Sequence, residues 1–184
     1  MWQRKNIPNL LTYFRIAVIP LLVLVFYLPD GWGNLLSAMI FMLAAISDYF
    51  DGLLARNWQA QSNLGRFLDP IADKLLIAAV IIVLVDQRII TGWHCLPAIA
   101  ILCREILVSG LREHLAELQV IVPVSKLAKW KTAAQMGALF LLLLGSYAPE
   151  YVGLLLLWAS AILTLQTGYL YLKHGLNHLY DKPE

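Results

Sequence analysis

The sequence predicts an all-α fold: a polytopic membrane protein of six transmembrane helices, a single domain over residues 1–184. It adds a short N-terminal interfacial segment and a functional site at the cytoplasmic side. Three observations lead there. Hydrophobic residues make up 60% of the chain and charged residues 14%, where a soluble domain carries about 25% charged residues. The apolar residues gather into six runs, each near the roughly 20 residues that span a bilayer, which leaves about 64 residues for loops and ends. All of the 14 Lys and Arg except Arg88 then fall on the side that holds both termini, the asymmetry that marks the cytoplasmic face.

Residues 1–8 mix Trp2 and Ile7 with Gln3, Arg4, Lys5 and Asn6, a composition suited to the membrane interface. The first span, residues 8–28, follows a basic start like that of a secretory signal. No small-residue cleavage site precedes Asp30 and Trp32, so it reads as a retained span. Pro29-Asp30-Gly31 breaks the chain before a second span at 35–55. The polar stretch 56–63 leads to a third span at 66–86, its start marked by Pro70, because proline in a first turn loses no hydrogen bond the helix could have made. Residues 86–91 separate this from a fourth span at 93–113. A basic loop, 113–131, precedes a fifth at 131–148, and a turn at 146–150 precedes a sixth at 151–172.

Several residues take ordinary readings. Trp32, Trp93, Tyr147 and Tyr151 lie near span ends as an aromatic belt, and His94, His114, His174 and His178 read as interfacial. Cys95 and Cys103 are eight apart on one helix, about 12 Å, beyond disulfide reach, and read as small buried apolar residues. The net charge of +2, scattered through apolar sequence, excludes a nucleic-acid partner.

Four of the 12 acids stand where a membrane protein can least accommodate them. Asp48 and Asp51 share a helical face with Gly52 and Ala55, and Gly65, Asp69 and Asp73 follow at intervals of four. Four carboxylates brought together repel one another and require positive charge. Hard oxygen donors select hard cations, so the pattern predicts two divalent ions, Mg²⁺ or Mn²⁺, as in two-metal phosphoryl-transfer sites. Small residues leave room for a ligand, and Arg56 offers a fork suited to phosphate.

The spacing Asp-x2-Asp-Gly-x2-Ala-Arg-x8-Gly-x3-Asp-x3-Asp from Asp48 to Asp73 resembles the signature of the CDP-alcohol phosphotransferases, with no position substituted. The resemblance implies a six-helix membrane enzyme, homodimeric, that transfers a phosphatidyl or related group from a CDP-activated donor to an alcohol and releases CMP. It implies that Asp48, Asp51, Asp69 and Asp73 hold the metals and that Asp73 is also the general base. The CDP donor falls to Asp48, Asp51, Gly52, Ala55, Arg56, Ser62 and Gly65. Thr12 and Arg15, polar at the start of the first span, join them as donor-site candidates.

Beyond the signature, Asn6-Ile7-Pro8-Asn9-Leu10-Leu11-Thr12 with Arg15, Arg104-Glu105-Ile106 with Arg112-Glu113, and Lys129-Trp130-Lys131-Thr132 are similar to bacterial members of the family that use glycerol 3-phosphate. One departure is Cys103, where alanine is expected before Arg-Glu. The implied reaction takes CDP-diacylglycerol and glycerol 3-phosphate in a bacterial inner membrane, with both termini cytoplasmic and membrane lipid as surroundings. Arg104 lies inside an apolar run, where a charge marks function by default, with Glu105 as a local partner. Arg104, Arg112, Lys131, Lys126 and Lys129 are therefore the candidates for the acceptor's phosphate, although basic loop residues also serve membrane orientation. The competing readings are another acceptor (inositol phosphate, serine or phosphatidylglycerol), a sensor of CDP-lipids, and a cation carrier or channel. The last fits poorly, because the acids stop on one side of the membrane.

Overall fold

The computed structural model describes residues 7–29, 31–58, 63–120 and 126–180. Among these, every regular element is helical: α1 (Ile7–Phe26), α2 (Trp32–Trp58), α3 (Asn63–Asp86), α4 (Cys95–Glu117), α5 (Lys126–Leu143) and α6 (Glu150–Tyr180). Short 3-10 turns lie at Gly92–His94 and Gly145–Tyr147. Each expected span corresponds to one helix, but the helices do not stop where the apolar runs stop. α2 carries on through Arg56 to Trp58, α5 takes in five residues before Lys131, and α6 runs past Leu172 to Tyr180.

Pro70 is corrected in the same way. It lies inside α3 and not in its first turn, so the Arg66 carbonyl loses the backbone donor it would otherwise have met. Among the described residues, two helical segments are long and apolar enough to cross a membrane, Gly92–Ala116 and Glu150–Lys173, with shorter apolar stretches at Tyr13–Phe26 and Trp32–Ser47.

The chain divides into two compact units. The first comprises the described parts of Met1–Ile89 and Leu139–Glu150. Its core is a stripe on α1 of Val18, Leu22 and Phe26 against Ala38, Phe41 and Ala44 of α2 and Ala72, Leu76, Val80 and Leu84 of α3, the spacing by which helices bury one face. α1 turns tightly into α2 at Gly33, where a Cβ would press into the Phe26 carbonyl and lie 2.8 Å from that of Leu28. Ser37 Oγ donates to the Leu22 carbonyl at 3.2 Å. Arg15 of α1 meets Asp73 of α3, and Tyr27, just after α1, meets Asp86 at the end of α3. The two helices therefore run parallel.

The second unit comprises the described parts of Ile90–Ala138 and Tyr151–Glu184. Here α4 and α6 run parallel with constant register. Trp158 Nε1 donates to His94 Nδ1 at 3.1 Å, Arg104 reaches Thr167, Arg112 stacks on Tyr171, and Gly175 faces Leu111 and Leu115. The polarity of α6 is turned inward: Ser160, Thr164 and Thr167 are buried, while Leu155, Ile162 and Leu165 are exposed. Ser160 Oγ donates to the Leu157 carbonyl at 2.9 Å and Thr167 Oγ1 to that of Leu163 at 2.7 Å, so these hydroxyls are satisfied within the helix. A helix that hides hydroxyls and shows leucine is fitted to an apolar solvent. Cys103, expected to be buried, is exposed and Cys95 is half-buried, both as free thiols; Cys103 falls on the outward apolar face with Ile99 and Ile106.

Candidate active site

In the first unit, α2 carries Asp48, Asp51, Gly52, Ala55 and Arg56, and α3 carries Gly65, Asp69 and Asp73. Helical backbone through both segments gives the expected spacing its geometry: three and four residues apart is one turn. Ser62 lies outside the described residues, as do the side chains of Thr12, Asp48, Asp51, Gly52, Ala55, Arg56, Gly65 and Asp69. Among the described residues no three Asp, Glu, His or Cys gather as metal ligands; of the four aspartates, only Asp73 has its side chain in that set.

Asp73 is the informative one. Its Oδ1 accepts from Arg15 Nη1 at 2.5 Å, with the Arg15 side chain 1% exposed and that of Asp73 39% exposed. Arg15 belongs to the buried stripe of α1, three residues before Val18, so the packing face carries a guanidinium inward. A buried cation needs a carboxylate, and a carboxylate in this setting needs positive charge. Carboxylate oxygens are the donors that hard divalent cations take, so the chemistry of the expected set suits them; its one described member is paired here with the Arg15 guanidinium. The next residue, Lys74, donates from Nζ to the Pro70 carbonyl one turn back, at 2.6 Å. The pairing of Arg15 with Asp73 was not expected from the sequence, because the partners lie 58 residues apart.

The second unit holds the candidates for an anion. Lys131, placed by the sequence at the end of a loop, sits on the second turn of α5 and is 5% exposed. Its Nζ donates to Glu105 Oε1, the same oxygen that accepts from Arg104 Nη1 at 3.1 Å. Glu105 thus pairs with Arg104, as the sequence suggested, and with Lys131 as well. The three side chains are 6% to 17% exposed. Two cations share one carboxylate, leaving a surplus positive charge in a largely buried place.

On α4, α5 and α6 stand buried polar atoms without a partner among the described residues: Arg104 Nε, Gln135 Oε1 one turn beyond Lys131 on α5, and Thr164 Oγ1 on α6. Unsatisfied buried polar groups are rare and call for a partner. Among the described residues, Arg112 and Lys129 make no ion pair with Glu105. Arg112 is exposed, its guanidinium 5.6 Å from the centre of the Tyr171 ring, a cation–π contact. Lys129 is exposed on α5, and the side chain of Lys126, the first residue of α5, lies outside the described set.

The sequence model of the CDP-alcohol phosphatidyltransferase family matches residues 5–166, running through both units. A Rickettsia felis protein named CDP-diacylglycerol–glycerol-3-phosphate 3-phosphatidyltransferase is 48% identical over 174 residues, 92% of this chain and 94% of its own. Proteins of the same name from Rickettsia bellii and Salmonella choleraesuis are 48% and 47% identical, the latter over 180 residues, 96% of this chain and 98% of its own.

Proposed function

The chain belongs to the CDP-alcohol phosphatidyltransferase family, and from that premise we propose that it transfers the phosphatidyl group of CDP-diacylglycerol to glycerol 3-phosphate, giving phosphatidylglycerophosphate and CMP. The oxygen of the acceptor's 1-hydroxyl attacks the phosphatidyl phosphorus, the bond from that phosphorus to the CMP oxygen breaks, and the hydroxyl proton passes to Asp73. Direct displacement suits the described site residues, among which no serine, cysteine or histidine meets a base as an activated nucleophile.

Asp48, Asp51, Asp69 and Asp73 would hold two divalent cations, Mg²⁺ or Mn²⁺, whose chemistry is to neutralise and polarise the donor's diphosphate. Arg15 fixes the carboxylate that takes the proton. Thr12, Arg15, Gly52, Ala55, Arg56, Ser62 and Gly65 serve the CDP headgroup, with the acyl chains left in the bilayer. The membrane then concentrates and orients the lipid, and the protein positions only two phosphate-bearing groups. Arg104 and Lys131 receive the acceptor's phosphate, with Arg112, Lys126 and Lys129 as further candidates.

The observation that carries the acceptor is the charge surplus of the buried triad Arg104, Glu105 and Lys131. A dianionic phosphate offers it both the missing charge and an acceptor for Arg104 Nε, which a neutral alcohol would not. The inward hydroxyls and outward leucines support a multi-pass membrane protein of six spans, and the one-sided Lys and Arg support cytoplasmic termini in a bacterial inner membrane. The family resemblance supports a homodimer, and the family match across both units supports one functional domain.

The test is CMP release by detergent-purified protein from CDP-diacylglycerol with Mg²⁺, comparing glycerol 3-phosphate, glycerol, serine, inositol phosphate and phosphatidylglycerol. Release that depends on glycerol 3-phosphate, stops with EDTA and returns with added Mg²⁺ is the expected result. Release with another acceptor alone would overturn the acceptor, and release indifferent to EDTA would overturn the metals.

A further inference from the structure

We propose that Glu105 of α4 and the Thr167-Gly168 pair of α6 are positioning residues that fix Arg104 and Lys131 for the acceptor's phosphate. This rests on the reading of that phosphate as the ligand of the second unit. An arginine side chain is long and has many rotamers, and its planar fork recognises phosphate best when its plane is held. On an apolar helix nothing in the sequence of α4 except Glu105 would hold it.

The structure supplies three restraints. Glu105 Oε1 accepts from Arg104 Nη1 at 3.1 Å and from Lys131 Nζ, joining cations of α4 and α5 that are 27 positions apart in the sequence. Thr167 Oγ1 accepts from Arg104 Nη2 at 3.4 Å while giving its own hydrogen to the Leu163 carbonyl at 2.7 Å. The hydroxyl therefore turns a lone pair, not a hydrogen, to the guanidinium. Gly168 completes the slot: a Cβ there would lie 2.9 Å from Arg104 Cγ and 3.4 Å from its Nε. The bare backbone of α6 is what allows the arginine stem to lie along it.

These restraints occupy Nη1 and Nη2 and leave Nε without a protein acceptor. Lys131 is buried among the same groups. Glu105 also sets the charge: one carboxylate against two cations holds the pair together without cancelling it. An anion that approaches this cluster meets a guanidinium of fixed plane and an ammonium tied to the same oxygen. That arrangement discriminates by geometry as well as by charge.

The experiment measures kcat and KM for glycerol 3-phosphate and, separately, KM for CDP-diacylglycerol, in Glu105→Gln, Gly168→Ala, Thr167→Val, Thr167→Ser and Arg104→Ala beside the unchanged protein. Positioning predicts that Glu105→Gln and Gly168→Ala each raise KM for glycerol 3-phosphate roughly tenfold or more with KM for CDP-diacylglycerol unchanged. Thr167→Val shows the same split to a smaller degree and Thr167→Ser restores the original value. A merely structural role would lower kcat and worsen both KM values together, which would overturn the proposal, as would tighter glycerol 3-phosphate binding in Glu105→Gln. Should Glu105→Gln fail to fold, Gly168→Ala decides alone, since it leaves all three charges in place. Loss in Arg104→Ala with no effect of Gly168→Ala overturns the positioning but spares the acceptor reading. An unchanged protein that does not use glycerol 3-phosphate overturns both.

Discussion

The two units bury ionised side chains with different balances of charge. Each places such side chains on buried faces of apolar helices, and each ties two helices together in doing so. In the first unit, one guanidinium of α1 meets one carboxylate of α3, one cation to one acid. In the second, two cations of α4 and α5 meet one carboxylate, and the bases are in surplus. The pairs themselves say little about function, because buried ion pairs also serve packing. The unbalanced remainder is informative: the second unit's two cations exceed their carboxylate, and a surplus of guanidinium and ammonium suits a phosphate.

That contrast breaks most sharply in the kinetics. Asp73→Asn keeps the shape and removes the base, and kcat should fall by roughly 10³-fold with KM for glycerol 3-phosphate little changed; near-normal turnover would remove Asp73 from the mechanism. Arg104→Ala should do the reverse. Loss of a charge-assisted contact to the acceptor predicts a KM for glycerol 3-phosphate raised about 30-fold, with discrimination between it and glycerol lost. Equal losses for both acceptors would place Arg104 outside the acceptor site.

Stability gives the next contrast. Arg15→Met leaves Asp73 without its cation and should cost about 2 kcal/mol, below the range for a fully buried pair, because the Asp73 side chain is 39% exposed. Thermal unfolding in detergent reads this, and an unchanged midpoint would show that the pair contributes nothing. The smallest effect should be the same in both units. α3 and α4 each end in a Schellman turn whose left-handed position is not glycine: Arg88 at φ 58° and Gln119 at φ 59°. Ile89 N–H bonds the Leu84 carbonyl at 3.0 Å and Val120 N–H that of Leu115 at 2.9 Å, closing the two turns alike. Arg88→Gly and Gln119→Gly should each stabilise by about 0.5–1 kcal/mol. A gain at one position only would show that the two caps are not equivalent.

The sequence carried the helices well because apolar runs and Pro/Gly breaks report lipid-sized segments. It misplaced their ends for one physical reason: a helix continues as long as its backbone bonds do, whereas an apolar run stops where the lipid stops. Residues 56–58, 126–130 and 173–180 are polar and helical, and were read as loop or tail. Pro70 misled for the same reason. Of the site, the aspartate pattern was legible because its spacing is local to two helices. The pairing of Arg15 with Asp73 and the place of Lys131 beside Glu105 depend on packing between distant segments, and Thr167 and Gly168 were invisible as two small residues in an apolar run. The hint was their position one turn from Thr164, in a helix that also carries Ser160 and Gly175 on the same side.

At 31 residues α6 is about 46 Å long, against a hydrocarbon layer of about 30 Å. Its seam with α4 does not end at the lipid boundary, since Gly175 still packs on Leu111 and Leu115. One pair of helices is therefore held by two kinds of cohesion. Where Ser160 and Thr164 lie, contact replaces lipid tails, and van der Waals fit maintains it, with the Ser160 hydroxyl satisfied within its own helix. Around Gly175 it excludes water, with the heat-capacity signature of burying apolar surface. Urea should loosen the seam from its watery end and harsh detergent from its oily end, so the two denaturants would unzip the same interface in opposite directions.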